Sequence, residues 1–209
     1  MVKKYEITSD CKTVDNVKVC RVKALKDFNA NKFVNIKKGD LGGYVEKESN
    51  LSQEGGAWVF VDAVVKDNAM VSDDAWIDFD AVVSGNARVE GTALVGGEAR
   101  VSDNAMVKDK AEVVDSVVIK DNAVVEGNAL VEDHAVVSGN AVVDGAVVKD
   151  KALVKDDVKV SGTARVECHT KLLDSVKVSR GRVCVSEDIV FDSQEKLDKY
   201  LEYVKKYER

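Results

Sequence analysis

Proline is missing from all 209 residues. A residue with no backbone N–H fits poorly inside hydrogen-bonded sheets, so its absence suits a backbone committed to sheet ladders. Histidine is nearly absent, with two copies, which leaves few candidates for general-base chemistry. No apolar run approaches the roughly 18 residues that cross a bilayer as a helix, so no membrane partner is expected. The start, Met1-Val2-Lys3-Lys4-Tyr5-Glu6, lacks the apolar core of a signal peptide, and a cytoplasmic location is the expectation. A basic excess is lacking too. Against 31 Lys and Arg stand 37 Asp and Glu, for a net charge of -6 and a pI near 5.1. That balance argues against a nucleic-acid partner.

The four cysteines, Cys11, Cys20, Cys168 and Cys184, form no C-x-x-C pair and no Cys/His cluster with zinc spacing, so no metal site is expected. Cys11 and Cys20 flank a predicted hairpin turn and are placed to face each other. In a reducing compartment free thiols are the expectation for all four. No nucleophile–base motif occurs, and Leu41-Gly42-Gly43-Tyr44 is too short for a phosphate-binding glycine loop. No cofactor is called for by these motifs.

What the sequence does contain is a repeat. Alanine recurs every sixth residue from Ala57 through Ala111, Val117 substitutes once, and Ala123, Ala129, Ala135 and Ala141 continue the column. An aliphatic residue follows each by two, as in Val65, Val71, Ile77 and Val83. Six residues make one short strand and one turn, too short a unit for a helical repeat and the wrong period for a coiled coil. A second period sets the cross-section. Asn50, Asn68, Asn86, Asn104, Asn122 and Asn140 each fall 18 residues after the last, so three hexads make one coil and the asparagines stack on one corner. Asparagine tolerates the left-handed backbone conformation, and its amide can bond to the amide above. The Asp or Gly before it serves the same turn.

These patterns predict an all-β fold: a left-handed parallel β-helix, a triangular solenoid of about eight coils of three hexads. At about 4.8 Å per coil it would be roughly 38 Å long. The hexads run from Leu41 through Val178 with no insertion and one residue missing near Gly145-Ala146. Small and aliphatic side chains fill the interior and leave no room for a ligand. Both ends need covers, because an open sheet edge invites polymerisation. Residues 1–40 are predicted as an N-terminal β-hairpin cap, 41–190 as the β-helix and 191–209 as a C-terminal amphipathic helix. In that helix Asp192 and Glu195 resemble a capping pair, and Leu197, Tyr200, Leu201, Val204 and Tyr207 share a face. That face either covers the last coil or packs on a neighbouring subunit.

Function then rests on outward side chains. The slot before each inward aliphatic is unusually apolar: Trp58, Trp76 and Leu94 on one side, Val64, Val82, Val118 and Val136 on the second, Met70, Met106, Val124 and Val142 on the third. Large apolar stripes usually mark interfaces, and three prisms side by side would each bury one, which predicts a homotrimer. One corner stacks Asp62, Asp80, Glu98, Ser116, His134, Lys151 and His169. His134 and His169 are the catalytic candidates, but at two coils apart, roughly 10 Å, they cannot share one metal. Asp62 above Asp80 is placed to attract a cation, a weaker reading than a solvated acidic corner. Trp58, Trp76, Ser116 and Lys151 are the candidates for ligand or interface contact.

The hexads resemble the hexapeptide-repeat proteins. More narrowly, Lys37-Lys-Gly-Asp-Leu-Gly-Gly-Tyr44-Val45 and Asn50-Leu-Ser-Gln-Glu-Gly55-Gly-Ala-Trp58-Val59 resemble the start of the repeat in YdcK-like bacterial proteins that carry a transferase label, and in similar prophage-borne proteins. The resemblance implies a trimer and, for the best-known members, acyl transfer from acyl-CoA. Those enzymes commonly interrupt their coils with an extruded loop that helps form the active site, and no such insertion is read here. Three functions stay open: a non-catalytic oligomer binding a small anionic or nucleotide-like ligand or a partner between subunits, an acyl-CoA-dependent acyltransferase using His134 or His169, and a structural spacer.

Overall fold

The computed structural model describes residues 3–30, 34–186 and 189–207. Parts of the expected cap (1–2 and 31–33), of the expected solenoid (187–188) and of the helix (208–209 and the Tyr207 side chain) lie outside the described residues. The chain opens with strands β1 (Tyr5–Val14) and β2 (Val17–Ala24), an antiparallel hairpin turned by Asp15 and Asn16, both at positive φ. A small hairpin of β3 (Phe28–Asn29) and β4 (Asn35–Ile36) follows, and β5 (Leu41–Val45) pairs antiparallel with β2 and parallel with Val64–Val65.

Beyond β5 the chain is a parallel β-solenoid of about eight turns, wound as three sheets of very short strands. Strands stack from Val64–Val65 to Val190–Phe191 in the first sheet, from Met70–Val71 to Lys177–Val178 in the second, and from Trp58–Val59 to Arg182–Val185 in the third. The six-residue spacing explains the interior. Ala63, Val65, Ala105, Val107, Ala135 and Val137 are fully buried, and so are their equivalents in each coil. Each coil adds small and β-branched side chains of similar volume to a continuous packed core.

The spacing is not uniform. The expected missing residue is present as read: Val131 pairs with Val148 and Val143 with Val160. The expectation of no insertion is corrected at the first coil. There Val45 pairs with Val65 and Leu51 bridges to Val71, two residues more than the step from Val65 to Val83. The extra residues fall among Ser52–Gly56, where no strand is interrupted and the hexad pattern gives no signal.

Corner chemistry also differs from expectation. The left-handed residue is the one before each ladder asparagine, Asp67, Gly85, Asp103, Asp121 and Gly139, while the asparagines themselves keep ordinary φ. Freed from that role, the amides stack. Asn68 Nδ2 donates to Asn86 Oδ1 at 3.3 Å, Asn86 to Asn104 at 3.0 Å, Asn104 to Asn122 at 3.1 Å and Asn122 to Asn140 at 3.1 Å. Asn50 stands apart: it is buried in a 3-10 turn and donates to the Asp67 and Ala69 carbonyls. A second ladder was not foreseen. Left-handed aspartates accept the N–H of the corner residue one coil later, as in Asp73 from Gly91 at 2.9 Å, Asp109 from Gly127 at 3.1 Å and Asp133 from Asp150 at 3.1 Å. A short carboxylate tolerates positive φ and satisfies a donor at once, which is why aspartate dominates these corners.

Hydrogen bonds join consecutive coils in both directions, as a parallel ladder requires. The N–H groups of one coil donate to carbonyls of the next, as in Val64 to Ala81 at 2.9 Å, Val82 to Ala99 at 2.9 Å and Arg100 to Val117 at 2.9 Å. Each end therefore leaves backbone groups open, and side chains of the caps meet some of them. At the N-terminal end Lys4 Nζ donates to the carbonyls of Glu54, Gly55 and Ala57, and the Tyr5 hydroxyl lies 2.8 and 2.7 Å from those of Glu48 and Leu51. At the C-terminal end Gln194 Oε1 accepts the Lys177 N–H at 2.9 Å. Gln194 opens helix α1 (Gln194–Tyr207), which seats Leu197 fully buried on the last coil, with Tyr200 and Leu201 half-buried beside it. The helix therefore covers its own solenoid. Its N-cap is Ser193 and not the expected Asp192, whose carboxylate instead meets Lys196 Nζ at 2.8 Å.

Candidate functional site

The tryptophans predicted as an exposed stripe are covered by the chain's own cap. Trp58 and Trp76 are cross-strand neighbours, as expected. Trp58 is only 1 % exposed, edge-on to Tyr5 and Phe28. Trp76 is half-buried, packs on Phe60, and donates its indole N–H to the Ala30 carbonyl at 2.9 Å. On the first sheet the same happens to Val64, which is buried with Val19 and Tyr44 and bordered by Val14, Val17 and Val82. Large outward residues in the first coils are thus anchors for an N-terminal cap that drapes over two faces. The signal was legible in principle: the aromatic slots occur only in the coils nearest the cap. Gly42 belongs to this packing, since a Cβ there would lie 2.8 Å from the Trp58 ring and 2.6 Å from the Val59 carbonyl.

Asp62, expected on a solvated or cation-binding corner, already has cations. Lys12 Nζ stands 3.8 Å from its carboxylate and Arg21 Nη2 3.5 Å. The Arg21 guanidinium also donates to the carbonyls of Gly42 and Val61 and to the Tyr44 hydroxyl, and stacks 4.4 Å from that ring. Among the described residues no group of three or more His, Cys, Asp or Glu side chains is gathered as a metal site.

The four thiols expected to be free are paired. Cys11 and Cys20 are direct partners across β1 and β2 and form a disulfide. Cys168 and Cys184 form the second, joining consecutive coils of the third sheet. The physical reason is stacking: a separation of 16 is close to one coil, which brings their Cα atoms to 5.2 Å. Glu167, beside that bridge, is 3 % exposed and accepts from Arg165 Nε at 2.8 Å and from Arg182 Nε at 2.5 Å. Burial alone would raise its pKa, but the two guanidiniums together hold it below the ordinary carboxylate value.

On the histidine corner His134 is exposed and His169 half-buried. Backbone bonds hold both in the stack, His134 N–H to Asp150 O at 2.8 Å and His169 N–H to Val185 O at 3.2 Å. Lys151 occupies the coil between them, its N–H on Cys168 O at 2.9 Å, so the two imidazoles are not neighbours. Ser116 Oγ lies 3.5 Å from Glu98 Oε2, and no hydrogen bond among the described residues joins it to His134.

The same corner carries an unforeseen feature one residue earlier in each coil. Its left-handed positions hold Val61 at φ 46° and Phe79 at φ 54° before passing to Gly97, Asp115, Asp133, Asp150 and Cys168. Branched and bulky side chains are costly there. Both are also exposed, Val61 by 54 % and Phe79 by 61 %. Beyond Phe79 lies buried Gly96, where an added Cβ would lie 3.9–4.0 Å from the Phe79, Val114 and Leu94 side chains. The sequence shows the residues, but only the backbone angles show that they sit at a strained position.

Compared with protein-family models and with curated proteins, the sequence matches none.

Proposed function

We propose that the chain is a non-catalytic β-solenoid that associates with copies of itself through outward side chains its own caps leave uncovered, and that clefts between the copies take a small anionic or nucleotide-like ligand. The observation that carries this is Val61 and Phe79, two exposed apolar side chains held in a backbone conformation that costs about 1–3 kcal/mol each. Exposure and strain at one corner are two separate costs, and burial against another copy offsets the first. Leu94 and Val114 continue that surface. Three copies is the number that the resemblance to hexapeptide-repeat proteins implies, and the left-handed, triangular winding belongs to the same reading. Lys151 and Arg165, exposed farther along the same face, suit an anionic ligand. The chain has no helix long and apolar enough to cross a membrane among its described residues. Its two disulfides favour an oxidising compartment over the cytoplasm expected from the first residues of the sequence.

Native mass spectrometry of gently purified protein tests this. A trimer carrying a stoichiometric small molecule is the expected result. Co-purified acyl-CoA, with a transfer activity that His134→Ala or His169→Ala abolishes, would replace this function with an acyl-CoA-dependent transferase. An empty monomer at working concentration would remove the cleft and leave a spacer.

A further inference from the structure

The second sheet ends one strand short of the first. Its last strand is Lys177–Val178, whereas the first sheet continues to Val190–Phe191; the third ends in the same coil as the second, at Arg182–Val185. In earlier coils of this sheet the residue after the inward aliphatic donates its N–H to the next coil, as Ser72 does to Val89 O at 2.9 Å and Lys108 to Val125 O at 3.0 Å. Ser179 is the equivalent residue in the last coil, and among the described residues no further strand of this sheet follows it. The Lys177 N–H, two residues back and pointing the same way, is satisfied by Gln194 Oε1.

In place of the missing strand lies a groove of about 300 Å³ between the strand edge and helix α1. Its two walls differ in charge. The strand wall carries Lys177 and Arg180, and the helix wall carries Asp198 and Glu202, with Lys205 one turn on. Val178 and Leu201 make an apolar floor. Lys177, Arg180, Glu202 and Lys205 are all exposed, and among the described residues none of them is held in a salt bridge. Opposite charges thus face one another across the groove without closing it.

We infer that this groove binds a small zwitterion of the α-amino-acid type. Its carboxylate lies on the strand wall, accepting from the Ser179 N–H and the Arg180 guanidinium, and its ammonium lies on the helix wall at Glu202 and Asp198. The volume is at the small end of ligand sites, enough for a molecule of this size and little more. A simple anion satisfies only the first wall and a simple amine only the second. The site is separate from the surface assigned to self-association and does not depend on it.

The test is a titration of the ¹⁵N-labelled full chain, followed through the Ser179 and Arg180 amide resonances, with an equimolar mixture of L-amino acids and then with its active component. Propionate and ethylammonium serve as single-charge controls. A saturable shift with amino acids, at least about tenfold weaker with either control, is expected. Arg180→Gln and Glu202→Gln should each weaken binding by about tenfold with circular dichroism and melting temperature unchanged, because both side chains are exposed. No saturable shift with any amino acid overturns the inference. So does an equal response to propionate, which would mark a plain anion site, or unchanged affinity in both variants.

Discussion

The ammonium of Lys4 lies 3.0 Å from the carbonyl oxygen of Ala57, at the end of the solenoid where aligned carbonyls are left without a coil beneath them. Lys4 is 1 % exposed, and burial, reinforced by nearby Lys26 and opposed by Asp74, pulls its pKa down to about 8. Its neighbour Tyr5 is shifted the other way, upward, by burial and by Glu48. Between pH 8 and about 10 the unfolded chain holds the Lys4 proton that the folded chain has released, so stability should rise with pH. Above about 10 the unfolded chain loses the Tyr5 proton first, and stability should fall. Urea unfolding from pH 7 to 11 should therefore show a maximum near pH 10. Lys4→Met should remove the rise and keep the fall, and a monotonic decline in the parent protein would contradict the buried ammonium.

Asp109 holds a left-handed corner at φ 61° and accepts the Gly127 N–H at 3.1 Å. Asp109→Ala loses the acceptor and keeps a Cβ at positive φ without the compensating hydrogen bond. It should cost about 1–3 kcal/mol. Asp109→Gly loses the acceptor alone and should cost clearly less, because glycine is free of the steric penalty. Equal costs in chemical denaturation would mean that the hydrogen bond, not the backbone angle, selects aspartate.

The periodic part of this fold could be read from the sequence because its cause is local. A side chain at a six-residue spacing faces inward in every coil, so the spacing alone places Ala63 through Ala141 and their partner aliphatics in the core. The outward slots were harder because their environment is set by residues far away in the chain. Trp58 looks identical to an interface residue until Tyr5 and Phe28 are known to lie on it. Cys168 and Cys184 were missed for the same reason, since their pairing depends on a coil shortened between Val166 and Val183. The asparagine column and its amide hydrogen bonds are legible in the spacing, but the left-handed angle belongs to the Asp or Gly before each asparagine. Sequence spacing fixes a column, and it does not fix which of two adjacent corner residues carries the strain.

Ala105 is fully buried, with Val107 beside it in the same coil. Ala105→Leu adds three carbons to a close-packed interior that cannot expand without separating two coils. It should cost about 1–3 kcal/mol, read as a lower melting temperature. An unchanged melting temperature would count against the inward placement of the alanine column.

The Cys168–Cys184 bridge ties consecutive coils next to the last, where α1 seats Tyr200 on the Cys184 carbonyl at 2.9 Å. Replacing both cysteines with serine should lower stability by about 2–4 kcal/mol. The loss should concentrate at this end, so hydrogen exchange in α1 should accelerate more than exchange in β1 and β2. Uniform acceleration would show that the solenoid opens as one unit and not from its C-terminal coil.

Phe79 separates folding from association. Ten of the left-handed non-glycine corner positions carry aspartate, and Phe79 sits among them at φ 54° with 61 % of its surface exposed. Phe79→Asp supplies the residue that the other corners use and removes an exposed ring that contributes little to the fold. The isolated chain should gain stability, by about 0.5–2 kcal/mol, as strain at positive φ is relieved. The assembly should lose it, because a carboxylate would be buried in the contact without a partner. Sedimentation velocity and thermal unfolding on the same samples distinguish these. A more stable monomer where the parent protein is oligomeric means that the strain is retained for association. Lower stability with unchanged oligomeric state would mean that Phe79 is held for its cover over Gly96 instead, and would assign this corner to the fold.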